Sequence, residues 1–230
     1  MKLTLPFHRF FFFIFLAFLF SWIGLVVLPW MELGHQPPIQ DADSGDMTPW
    51  DASGAAHAGE HVYAADGCVY CHTQQVRPAS SGADLVRGWG TAKDGDGKDV
   101  TRRTYPRDYI WQGRVFLGYS RNGADLSNVG DRFPDEAALY NYLYDPYILS
   151  PRSSMPEYRF LFVEQRISGH QADDALVLTG PDAPPPGYEI VPSPEAKALV
   201  AYLLSLKKGY HLKPDEAGIP YVPPSTKSSS

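Results

Sequence analysis

The two cysteines of this chain stand three residues apart, in Cys68-Val69-Tyr70-Cys71-His72, and a histidine follows the second directly. This is the attachment pattern of a covalent c-type haem. On one helical turn the positions i, i+3 and i+4 share a face, so two thiols can add to the porphyrin vinyl groups while His72 reaches the iron from beneath the ring. Other uses of such a pair fit less well. A zinc site of the usual kind needs four ligands, and the chain has no second cysteine pair. A disulfide between residues three apart closes too short a loop to restrain much of the unfolded chain.

From Phe10 to Trp30 there are 21 residues without a charged side chain. At about 1.5 Å per residue they make a helix roughly 30 Å long, the thickness of a bilayer's hydrocarbon core. Lys2 and Arg9 precede this run, whereas Glu32, Asp41, Asp43 and Asp46 follow it. The positive-inside bias therefore leaves the N-terminus cytoplasmic and the rest of the chain outside. A cleaved signal peptide has a shorter apolar region, about 7–15 residues, ending in small side chains. Here the run ends Val26-Val27-Leu28-Pro29-Trp30. The expectation is a retained single-pass anchor over residues 1–31, in the bacterial cytoplasmic membrane and in contact with its lipid, with the haem domain on the periplasmic side.

The charge balance excludes a nucleic-acid partner: Lys plus Arg is 20 against 26 for Asp plus Glu, a net charge of −6. Residues 32–56, with Pro37, Pro38 and Pro49 among Gly, Ser and Asp, read as a tether. Residues 57–209 are one domain's worth of chain. Residues 210–230, with Pro214, Pro220, Pro223 and Pro224 before a serine-rich end, read as an extended tail. No internal repeat occurs, and one motif implies one haem.

Within the domain, Gly59 to Ala65 reads as a helix leading into the motif. Near the other end, Ser193 stands as an N-cap, Pro194 at the first helical position and Glu195 in the first turn. Leu199, Tyr202, Leu203 and Leu206 then recur as an apolar stripe up to Lys207. Two terminal helices crossing beside a haem, with irregular chain around the ring, is the arrangement of class I cytochromes c, which this mainly α domain resembles. Asp94-Gly95-Asp96-Gly97-Lys98-Asp99 departs from a calcium loop, because Lys98 and Asp99 stand where an oxygen ligand and a glycine are required, and it reads as a turn.

The iron's sixth position needs a methionine, a histidine or nothing. Met1 and Met31 belong to the anchor and Met47 to the tether, which leaves Met155. Pro156 after it favours an extended conformation, so the thioether can be held at a loop tip facing the ring. The plainer alternative is a gap-filling core methionine. His57, His61, His170 and His211 read as solvated histidines. Between Arg77 and Arg121 the chain is locally basic, and some of those arginines are suited to fork onto haem propionates.

Three runs carry a closer likeness: Gly67-Cys-Val-Tyr-Cys-His-Thr-Gln-Gln-Val-Arg-Pro78, Asn122-Gly-Ala-Asp-Leu-Ser-Asn-Val-Gly-Asp-Arg132, and Ser153-Ser-Met-Pro-Glu-Tyr158. Over the anchor and most of residues 57–209 the chain resembles the membrane-anchored mono-haem subunit II of cbb3-type cytochrome c oxidases. The resemblance implies His72 and Met155 as axial ligands. It implies an electron-transfer role toward the catalytic haem-copper oxidase subunit, with a dihaem cytochrome c subunit alongside. Members commonly have proline where this chain has Ala124, whose carbonyl is then expected to accept the Nδ1 proton of His72. The Pro- and Gly-rich segment 160–192 is longer than a minimal member needs. Two alternatives stay open: an anchored mono-haem cytochrome of a nitric oxide reductase or another respiratory complex, and a haem sensor or enzyme with an open iron position.

Overall fold

The computed structural model describes residues 6–41, 45–52, 54–133 and 135–212. Lys2, Asp43 and the expected tail beyond Leu212 lie outside them. The apolar N-terminal segment is a continuous helix over Phe7–Leu33, whose side chains are left uncovered and whose length and composition suit a membrane crossing. It comprises α1 (Phe7–Trp22), a π-helical stretch (Ile23–Val27) and α2 (Leu28–Leu33). Pro29 accounts for the π-helical stretch. It has no N–H to give the carbonyl of Leu25, and its ring crowds that oxygen, so the turn before it widens.

The segment read as a tether is built into the domain surface where it is described. Strand β1 (Ile39–Gln40) pairs antiparallel with β2 (Met47–Thr48). The Arg107 guanidinium donates to the carbonyl of Pro37, and Trp111 Nε1 donates to that of Pro49 at 2.7 Å. A proline lacks a donor but keeps its acceptor, so the residues that suggested slack are docking points.

The core forms where α3 (Ala55–Ala65) crosses α5 (Pro194–Ser205). The two backbones nearly touch at Gly59, where a Cβ would stand 1.9 Å from the carbonyl oxygen of Ala198. Ser193 caps α5 as expected, its Oγ accepting from Ala196 N at 3.2 Å. Leu199, Tyr202, Leu203 and Leu206 are all buried. The Tyr63 ring packs between those of Tyr202 and Phe116, with centroids 5.4 and 5.5 Å away.

Between the helices, where irregular chain was expected, the chain forms short antiparallel strand pairs and a further helix. Strand β3 (Thr91–Lys93) pairs with β4 (Asp99–Thr101) across the Asp94 turn, where the Asp94 carboxylate accepts from the backbone N of Asp96 and Lys98 at 3.0 and 2.7 Å. Helix α4 (Glu136–Tyr144) starts at the Asp135 cap and buries Leu139, Tyr140, Leu143 and Tyr144. The long segment 160–192 folds back on itself as β5 (Phe162–Arg166) against β6 (Tyr188–Pro192), antiparallel. Phe162 and Ile190 thereby enter the core, with Phe162 edge-on to Tyr144 at 5.3 Å. Glycines and prolines break helices, but they also turn short strands back onto each other, which is why local pairing replaces irregular chain here.

Candidate functional site

The cysteine motif follows α3 directly as a 3₁₀ turn over Cys68–Tyr70. With three residues per turn, positions i and i+3 eclipse, so Cys68 and Cys71 stand one above the other. The amide of His72 closes back onto the carbonyl of Cys68 at 3.0 Å. Both cysteines are free thiols, Cys68 half-buried and Cys71 exposed. Burial pushes the Cys68 thiol up to about 11, so it stays protonated at neutral pH.

His72 is held by one nitrogen. Its Nδ1 lies 2.7 Å from the carbonyl oxygen of Ala124, which places the proton on Nδ1 and leaves Nε2 with a free lone pair. Burial lowers the pKa of the ring and favours the neutral imidazole, the form that ligates a metal. The neighbouring Gly123 is a requirement of space: a Cβ there would stand 2.2 Å from His72 Cε1.

The residues after the motif are clamped to the same loop. Asp125 is fully buried, and its carboxylate accepts from Thr73 Oγ1 at 2.6 Å, Gln75 N at 2.8 Å and Ser127 N at 2.9 Å. Buried Gln74 donates through Nε2 to the Tyr202 hydroxyl at 2.9 Å, and its backbone carbonyl accepts from Tyr109 at 2.7 Å. Thus His72 is fixed between helix α5 and the 122–128 loop. Sequence reasoning did not single out Gly123, Asp125 or Gln74 as site residues. A signal for Asp125 was present, since an Asp two residues ahead of Ser127 is the pattern of a side chain that caps its own turn.

Met155 is half-buried against the core that also receives Cys68, Val69, Phe133 and Tyr158. Its amide donates to Ser153 Oγ at 3.1 Å, and Tyr158 N donates to the Leu143 carbonyl at 2.9 Å, which ties the loop to α4. Cys68, Met155 and Tyr158 pack against the same core, so the methionine loop comes against the motif turn. The other histidines stand apart from this cluster: His57 and His61 pack ring to ring on α3, His170 is exposed, and His211 sits near Asp94. Several arginines of the basic stretch already have protein carboxylates, Arg77 and Arg121 on Asp84 and Arg102 on Asp108.

Two eclipsed thiols, an imidazole with one nitrogen preset and a thioether on the adjoining loop form a donor set that fits a haem. Among the described residues no three His, Cys, Asp or Glu side chains converge as an alternative metal cluster. With the apolar leading helix, this donor set has the features of a haem protein carried on a helix of membrane-spanning length. Over residues 8–180 the chain matches the family described as cytochrome C oxidase, mono-heme subunit/FixO, and it belongs to that family. A haem cofactor and a place in a cytochrome c oxidase complex come with that membership. No curated protein matches the chain.

Proposed function

We propose that this subunit relays single electrons through one covalent haem c toward the catalytic haem-copper subunit of a cbb3-type oxidase, with a dihaem cytochrome c subunit as its neighbour. In this reading Cys68 and Cys71 are the thioether anchors, and His72 and Met155 are the axial ligands. Residues 57–209 form a domain of class I cytochrome c type, held by the Phe7–Leu33 helix on the periplasmic side of the cytoplasmic membrane. The observation that carries the reading is the 2.7 Å contact of His72 Nδ1 with the Ala124 carbonyl, which presets the remaining nitrogen for iron next to two eclipsed thiols.

When bound, the haem supplies an iron that takes up and gives back one electron. The chain's part is to hold the ligands still. The Ala124 carbonyl orients the imidazole, and the Asp125 carboxylate keeps that loop against the residues following His72. His72 and Met155, as the residues holding the iron, would raise its reduction potential and leave it no free position for a substrate. Purification of the protein from membranes, followed by denaturing electrophoresis with haem staining and an iron-to-chain ratio, tests this. Stain on the band with one iron per chain is expected, lost in Cys68→Ser/Cys71→Ser. A haem that washes out under denaturation, or two irons per chain, overturns it.

A further inference from the structure

We propose that an apolar strip from the end of the membrane helix to the Val69-Tyr70 edge of the motif is the docking surface for an uncharged rim of a membrane-embedded partner subunit. The proposal rests on the relay function above and names the partner side of that site. It begins with alternation in the run Val115-Phe116-Leu117-Gly118-Tyr119. Phe116 turns inward to meet Tyr63, whereas Val115, Leu117 and Tyr119 face out with exposures of 41%, 41% and 79%. Val115 and Leu117 line the same depressions and so form one uncovered apolar face, which Tyr119 joins in the second of them.

Val115 and Leu117 line two adjoining depressions. One, of about 540 Å³, reaches Leu33 and Gly34 at the end of the membrane helix and is walled by Tyr109 and Ile110. The other, of about 340 Å³, reaches Val69, Tyr70 and Tyr119, with Arg114 at its margin. Tyr70 and Tyr119 stack there with ring centroids 5.3 Å apart. Exposed apolar and aromatic side chains therefore run from the bilayer end of the chain to the haem-attachment turn, over a surface that becomes more polar toward the turn.

The lining of the larger depression identifies its occupant. It contains no Asp, Glu, Lys, Arg or His, in a chain of which 20% is charged. A surface meant for anionic lipid headgroups presents Lys and Arg. The core of a protein interface is instead depleted of charge and enriched in aromatic side chains. Tyr105 and Tyr109 give this wall that aromatic character. Because the groove opens at the end of the membrane helix, the segment that fills it belongs to a subunit embedded beside that helix.

The test is site-specific photo-crosslinking in the intact oxidase in native membranes. Benzoylphenylalanine is placed at position 115 or 117, with position 177 as an exposed control, and adducts are identified by mass spectrometry. Adducts from 115 and 117 to a membrane-embedded oxidase subunit, without one from 177, are expected. Adducts to lipid only, or to no protein in a complex that is intact, overturn the proposal. A second arm uses Val115→Glu/Leu117→Glu, which places two charges on exposed positions. With haem stain and visible spectrum unchanged, its recovery with the oxidase should fall by about tenfold or more, because a charge desolvated without a partner is expensive. Unchanged recovery overturns the docking surface. Loss of haem from the unmodified protein would instead sink the relay function, so the two failures are separable.

Discussion

The carbonyl oxygen of Ala124 lies 2.7 Å from Nδ1 of His72, joining residues 52 positions apart. Three consecutive residues of that loop each serve the imidazole differently. Gly123 leaves the space it occupies, Ala124 fixes its proton, and Asp125 ties the loop to the residues on the far side of His72. The ligand's geometry is thus set by a loop distant in sequence rather than by the motif that carries it.

Gly123→Ala should displace the imidazole. A Cβ at that position would stand 2.2 to 2.7 Å from three ring atoms, far inside contact distance, and the ring cannot move without breaking its bond to Ala124. Overpacking of this sort costs about 1–3 kcal/mol. The expected outcome is haem that stays covalently attached but shows an altered axial-ligand spectrum, checked by visible and paramagnetic resonance spectroscopy against the unmodified protein.

Asp125→Ala removes the acceptor for three donors inside the protein, leaving Thr73, Gln75 and Ser127 without their partner. Each orphaned buried donor costs about 1–3 kcal/mol, so a loss of roughly 3 kcal/mol or more is expected in denaturant unfolding. Asp125→Asn keeps an oxygen for one side of the clamp but turns an N–H₂ toward another donor, so it should fall between the two.

The helices framing the site were legible because their signals are local. Ser193, Pro194 and Glu195 start α5, and the Leu199 to Leu206 stripe buries its face. The thiols and imidazole were legible from spacing alone, and the Ala124 contact through family resemblance. The clamp at Asp125 was less so, because its partners lie about 50 residues away and a single buried carboxylate resembles any surface aspartate in sequence. The strands at 162–166 and 188–192 were hidden for a related reason: a two-stranded ladder is specified by pairing across 20-odd residues of Gly- and Pro-rich chain, which carries no periodic signal of its own.

Met155→Ala should abolish the ferric absorbance band that reports thioether ligation and lower the reduction potential, since a methionine opposite histidine raises it. Spectroelectrochemical titration of the intact protein measures both. A band and potential identical to those of the unmodified protein would mean that Met155 serves only the core it packs against.

Acid should unfold the domain through two buried carboxylates. Burial pushes Asp84 and Asp108 up, but hydrogen bonds and charge from Arg77 and Arg121 on the first, and from Arg102 on the second, outweigh it and hold both below the ordinary value of 3.8. A depressed carboxyl contributes stability that is complete above its unfolded pKa and is lost as the pH falls through its folded one. Stability from these pairs should therefore be flat down to about pH 5 and decline below about pH 4, followed by circular dichroism across that range. Arg102→Met, which leaves buried Asp108 without its salt-bridge partner, should cost up to about 3–5 kcal/mol at neutral pH, less what Tyr105 N, Tyr210 and Lys208 still supply.

The crossing of α3 and α5 gives the most severe expectation. At Gly59 a Cβ would lie 1.9 Å from the carbonyl oxygen of Ala198 and 2.8 Å from Tyr202 Cβ, so even Gly59→Ala forces the helices apart. Ordinarily alanine in a helix is favoured over glycine by about 1 kcal/mol, and that gain is expected to be overwhelmed here. Separation would also draw Tyr202 away from Gln74, loosening the hydrogen bond at 2.9 Å that holds the chain just after His72. Gly59→Ala should therefore lower both the unfolding midpoint and the yield of haem-loaded protein. Gly54→Ala is not a fair control, because its φ of 59° is itself unfavourable for alanine. Ala58→Ser, an exposed change one residue away on the same helix, should leave both readouts within the small range typical of surface substitutions.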